Sequence, residues 1–135
     1  MISSLIREKI STLLPTENPS KIMLKRGDIV LVPFPFTDLS KEKVRPAIVI
    51  SAENNIDVGV AFISSIIPEE PATVDFVLLE SHPDFSVTGL KRASVFKMNK
   101  VLTLERSKIL RRLGGVSPSI QKELDIRFKL AFGIK

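Results

Sequence analysis

Two alternating runs of β-branched residues, Ile29 to Val32 and Ala47 to Ile50, flank a connection that carries Pro33, Pro35, Asp38 and Ser40. Alternation at period two gives each run one face to bury, and prolines with turn formers between the runs rule out both a continuous strand and a helix. An antiparallel hairpin with a long loop is therefore expected, and any fold this chain adopts must be built around it. Pro46 has no N–H to give to a ladder, which predicts a place at the first residue of its strand or on a sheet edge. Arg45, one residue earlier, would then stand at the strand mouth.

Further strands are expected at Val58 to Ile63, Thr73 to Leu79 and Ser94 to Lys97, with a turn around Pro68 and Pro71 and a loop from His82 to Leu90. Residues 101–116 mix two periods: Leu102 and Leu104 alternate, whereas Ile109, Leu110 and Leu113 have helical spacing. Two strands around a short helical turn satisfy both. Ser117-Pro118 then reads as a hydroxyl N-cap followed by proline at the first helical position, where its missing N–H costs nothing. Ile120, Leu124, Phe128 and Ala131 supply one apolar face to a C-terminal helix. At the other end, Ile2, Leu5, Ile6, Ile10, Leu13 and Leu14 recur at helical spacing until Pro15. The expected organisation is an amphipathic helix and linker over residues 1–22 and one mainly β domain, a small barrel or sandwich, over residues 23–135.

The 135 residues contain no cysteine, so a core drawn from 44% apolar residues must hold by packing alone. No apolar run approaches the roughly 18 residues that span a bilayer, and no secretory cleavage pattern is present, so a soluble, cytoplasmic protein with no membrane partner is expected. Charge is distributed unevenly. Residues 68–90 hold five acids and no Lys or Arg, whereas residues 91–112 hold eight bases and one acid, Glu105. The bases are either an ordinary solvated surface or an electropositive face that tracks a phosphate backbone.

Candidate chemistry is narrow. The lone His82 excludes a histidine pair, absent cysteine excludes a thiolate nucleophile, and the carboxylates show no spacing suited to a metal. Neither GxxxxGK nor GxGxxG occurs. Cations and hydroxyls remain, and they suffice for one reaction class: RNA carries its own nucleophile, the 2′-hydroxyl, and needs only alignment and charge stabilisation at phosphorus. A guanidinium suits that charge because its planar fork donates two parallel hydrogen bonds.

The segments RGDIVLVPFPF, TDLSKEKV, RPAIVIS, VAFISS and GLKRASVF resemble the PemK/MazF family of toxin endoribonucleases, from about Lys25 to the C-terminus. The resemblance implies an SH3-like barrel with a C-terminal helix, a homodimer, a cognate antitoxin, and cofactor-free cleavage of single-stranded RNA at short motifs. It places the family's catalytic arginine at Arg45 and its catalytic hydroxyl at Ser64, where Ser stands in place of the usual Thr. It also makes the connection from Pro33 to Val44 a wall of the RNA groove. Phe34 and Phe36 then either stack on bases or plug the barrel end, and Thr37, Lys43, Ser65, Lys91 and Arg92 are candidate RNA contacts. Arg26 either contacts RNA or pairs locally with Asp28. The helix within residues 1–22 is an addition to the family pattern. A second reading comes from relatives that poison DNA gyrase by protein binding, since Phe132-Gly133-Ile134 loosely resembles their Trp-Gly-Ile tail. A third is a noncatalytic barrel that binds nucleic acid.

Overall fold

A computed structural model of the chain describes residues 23–34, 43–54 and 56–135, with Phe34 described by its backbone alone. The amphipathic helix expected within residues 1–22 and the loop residues 35–42 lie outside the described residues. Six antiparallel strands form one curled sheet: β1 (Asp28–Phe34), β2 (Lys43–Ser51), β3 (Asp57–Ser64), β4 (Asp75–Leu78), β5 (Ser94–Glu105) and β6 (Arg111–Gly115). Their spatial order is β4-β5-β3-β2-β1-β6. A single described α-helix, α1 (Pro118–Phe132), follows β6. The expected hairpin is β1–β2, in register from Ile29 opposite Ile48 to Phe34 opposite Lys43.

Both strands run further than the alternating core residues suggest, and this moves two prolines. Pro33 lies inside β1 rather than in the loop, and Pro46 is the fourth residue of β2, a central strand. Arg45 is accordingly inside β2, opposite Val32, and not at its mouth. The ladder tolerates these prolines because of where each missing N–H faces. Leu31 accepts from the Leu110 N–H on the β6 side, so by the period of two Pro33 faces that same side, beyond the last β1–β6 pair at Leu31–Arg111. Pro46 faces β3, where pairing begins only at Ala47–Phe62. Neither proline removes a bond that the sheet would otherwise make.

The strand expected at Ser94 to Lys97 continues to Glu105, and a bulge explains how it serves two cores. Opposite Ala61 and Phe62, the register on β5 jumps from Val101 to Lys97. The extra residues bend the strand. Phe96 and Met98 therefore pack with Ile29, Ile48, Ile120 and Leu124 beneath α1, while Leu102 and Leu104 pack against a second cluster of Val30, Val49, Val58 and Ile109 on the opposite face. The expected helical turn between two strands is a 3₁₀ turn at Arg106–Lys108.

Helix α1 begins as its sequence dictates. The Ser117 Oγ accepts from the Ile120 N–H at 3.3 Å with Pro118 in the first turn. Its far end closes on Gly133 at φ 66°, with the Ile134 N–H bonded to the Lys129 carbonyl at 2.9 Å. Phe132-Gly133-Ile134 is thus a left-handed helix cap, a role that needs glycine for its backbone angle. Arg127 fastens the helix to β4, donating to the Thr73 and Asp75 carbonyls and lying 5.9 Å above the Phe76 ring. Ser117→Ala is expected to destabilise the domain by about 1 kcal/mol, the usual cost of a lost hydroxyl cap. A urea titration of both proteins, with an unchanged slope and a lower midpoint, checks it.

Candidate functional site

The end of the β2–β3 pairing creates the site. Arg45 lies two residues before Ala47 on β2 and Ser64 two residues after Phe62 on β3, both just past the last β2–β3 pair. A cavity of about 580 Å³ opens there, and both residues line it. Arg45 and Ser64 are half-buried. The Ser64 Oγ accepts from the Ile66 N–H at 3.0 Å. That bond fixes the oxygen and leaves the hydroxyl hydrogen to rotate toward a ligand, since a serine donates one bond while accepting others.

The opposite wall comes from the loop before β5. Lys91 and Arg92 line the same cavity as Arg45, together with Ser65. This loop contains a 3₁₀ turn at Ser86–Thr88 and approaches β6 backbone to backbone at Gly89 and Gly114. A Cβ on Gly89 would sit 2.2 Å from the Leu113 carbonyl oxygen, and one on Gly114 would sit 2.4 Å from the Val87 carbonyl oxygen. Buried Thr88 locks the turn, donating to the Phe85 carbonyl at 2.7 Å and accepting from the Leu90 N–H at 3.2 Å. His82 does no more than its loop needs: its Nδ1 accepts from the Asp84 N–H at 2.9 Å.

Five of the residues expected at the site converge on this cavity: Arg45, Ser64, Ser65, Lys91 and Arg92. Arg26 does not, nor does it pair with Asp28. Its guanidinium bonds Asp125 on α1 at 2.6 Å and the Ile50 carbonyl at 3.1 Å, while Asp28 is buried and lies 3.7 Å from Arg112. Lys43 is exposed at the start of β2 and does not line the cavity. Phe34 lies opposite Lys43 in the hairpin, and Phe36 and Thr37 fall outside the described residues.

The basic run does not act as one face. Lys97 turns to Asp75 at 3.5 Å and Arg112 to Asp28, whereas Lys91, Arg92 and Arg111 reach the cavity. Arg111 is the member that sequence reasoning did not single out, because only the β1–β6 pairing brings it beside β1. The apolar floor, with Leu31, Leu90 and Leu113, was equally hidden. Among the described residues lining the cavity there is no carboxylate, so its charged groups are all cationic. Such a groove suits a polyanion whose phosphate meets a guanidinium and a hydroxyl at one point.

The curled sheet with one C-terminal helix and a cationic groove at the β2–β3 end defines a small, mainly β barrel-like domain. The comparisons agree. Residues 25–132 match the family described as PemK-like, MazF-like toxin of type II toxin–antitoxin system, and the chain belongs to that family. Among solved structures, the Mycobacterium tuberculosis toxin MazF-mt6 superposes with a TM-score of 0.63 at 19% identity, covering 80% of this chain and 98% of that one. A MazE–MazF structure from Deinococcus radiodurans gives a TM-score of 0.64 at 18% identity over 85% of this chain and 100% of its own. An endoribonuclease in complex with its cognate antitoxin, from a mycobacterial species, gives 0.61 at 16% identity over 83% and 97%. These likenesses establish the fold. No curated protein matches the chain by sequence.

Proposed function

We propose that this toxin is a metal-independent endoribonuclease that cuts single-stranded RNA at a short motif, with Arg45 and Ser64 as its catalytic residues. The observation that carries the reading is that Arg45 and Ser64 line one cavity whose charged groups, among the described residues, are all cations. The RNA 2′-oxygen attacks phosphorus, the P–O5′ bond breaks, and the 2′-hydroxyl proton ends on the leaving O5′. Negative charge grows on the nonbridging oxygens meanwhile, and Arg45 and the Ser64 O–H donate to them as it grows. The products carry a 2′,3′-cyclic phosphate and a 5′-hydroxyl.

Nothing in this sequence of bonds needs an ion. Among the described residues no group of three His, Asp or Glu side chains gathers to hold one. The protein works as a homodimer and is held in check by a cognate antitoxin that displaces RNA at the groove, a reading supported by its family and by the complexes in which similar folds occur. A cytoplasmic location follows from an RNA substrate, and among the described residues no helix is long and apolar enough to cross a membrane.

The test is incubation of the purified protein with a long unstructured RNA in EDTA, with mapping of the cut ends. Cyclic-phosphate ends at a recurring short motif are expected. An RNA left intact beside an inhibited DNA gyrase would point instead to protein binding, and intact RNA that is bound with a steep salt dependence would point to a noncatalytic barrel. In the same assay Ser64→Ala is expected to slow cleavage by about 30-fold, roughly 2 kcal/mol for a hydrogen bond to a charged group. Ser64→Thr keeps the hydroxyl and restricts its rotamer, so its rate should stay within about threefold of the unaltered protein.

A further inference from the structure

We propose that Arg111 forms a second phosphate-binding position, holding the phosphate next to the one that Arg45 and Ser64 face; the proposal rests on reading the groove as an RNA site. Register carries the case. Arg111 pairs with Leu31, and Leu31 pairs with Pro46, so the three form one row across β6, β1 and β2. All three line the cavity. With strands about 4.8 Å apart, Arg111 stands about 10 Å from the β2 end of that row. Arg45, next to Pro46, leaves β2 on the opposite face by the period of two, so the two guanidiniums reach the one cavity from different sides and meet different phosphates.

Charge singles it out from its neighbours. Arg112 turns to the other side of β6 and pairs with Asp28, and Lys97 pairs with Asp75. Arg111 is exposed and has no carboxylate partner among the described residues. Along the pairing from Arg111 to Arg45 lie Leu31 and Pro46, and Leu113 lines the same cavity. Cation, apolar floor, cation is the order in which a nucleic-acid strand presents phosphate, sugar and base, and phosphate again. Lys91, from the loop that approaches β6 closely at Gly89 and Gly114, lines the same cavity.

The experiment measures binding by fluorescence anisotropy, using the full chain and an unstructured 2′-O-methyl oligonucleotide, which has no free nucleophile and cannot be cut. Arg111→Ala is expected to weaken binding about 10-fold at low salt and to reduce the salt slope by about 0.7, the contribution of one phosphate contact on a single strand. Arg111→Lys keeps the charge and should restore the slope. Neutral methylphosphonates placed one linkage at a time then locate the contact, because a linkage whose neutralisation weakens the unaltered protein becomes silent once its partner is removed. Arg45→Ala and Arg111→Ala should silence adjacent, different linkages. Unchanged affinity and slope in Arg111→Ala, or silencing of the same linkage by both variants, overturns the proposal. If RNA is cut normally and Arg111→Ala binds normally, this inference fails alone. If no RNA is cut but the linkage pattern appears, the catalytic reading fails and this contact stands.

Discussion

Arg45→Ala is expected to lower the rate of RNA cleavage by about 10³-fold. The loss follows from the catalytic role proposed for Arg45. In that role a fork of donors meets the charge that grows on the nonbridging oxygens, and removing one preorganised donor of that kind costs about 10²–10³ in kcat, with larger losses for an arginine that meets transferring phosphoryl groups. In energy this is about 4 kcal/mol, at 1.36 kcal/mol for each tenfold. Arg45→Lys should recover only part of it, because an ammonium is a point charge and cannot donate two parallel bonds. Single-turnover cleavage of a defined oligonucleotide reads the effect free of product release, and a thermal melt of each variant separates chemistry from folding. Equal cleavage by folded Arg45→Ala would remove this residue from the mechanism.

The second large effect is expected far from the reacting atoms. Gly114→Ala places a methyl 2.4 Å from the Val87 carbonyl oxygen and 2.7 Å from the Thr88 carbonyl carbon. Both are backbone atoms, so no side chain can rotate away, and either β6 or the 85–90 loop must move. Overpacking of this kind costs about 1–3 kcal/mol, and the rigid contact argues for the upper end. At roughly 3–4 °C per kcal/mol for a domain of this size, the melting temperature should fall by about 10 °C. The same displacement carries Lys91 and Arg92 away from the groove, so RNA affinity should fall as well, even where the variant is folded. Calorimetry beside an anisotropy titration at low temperature reads both. A variant that melts as before would show that the loop accommodates the methyl.

Local chemistry made much of the architecture legible before any coordinates. The β1–β2 hairpin follows from period-two alternation in Ile29–Val32 and Ala47–Ile50, and α1 follows from Ser117-Pro118 and its apolar spacing, because both signals depend on residues close in the chain. The mixed pattern of residues 101–116 likewise resolves as expected, into the end of β5, a 3₁₀ turn at Arg106–Lys108 and β6. Where reasoning from the chain placed Pro46 at a strand start, it missed a pairing fact: a proline is harmless mid-strand if the side lacking an N–H has no partner, and only the sheet order shows which side that is. Arg26 was misjudged for a similar reason. Asp28 is two residues away, yet Asp125 on α1, far away in sequence, is the carboxylate that the fold brings to it.

By itself the sequence determined the kinds of chemistry open to this protein and the elements from which it is built. One histidine, no cysteine and no phosphate-cradling motif leave cations and hydroxyls, and composition alone decides that. Family likeness marked Arg45 and Ser64 as the pair to watch. Tertiary structure alone decided which of the bases share a groove. Lys97, Arg111 and Arg112 sit in one basic run, but strand alternation and pairing send Lys97 to Asp75 and Arg112 to Asp28 and turn Arg111 toward Leu31 and the cavity. Charge is a property of the residue, whereas its direction is a property of the register, and register is set by contacts between strands distant in the chain.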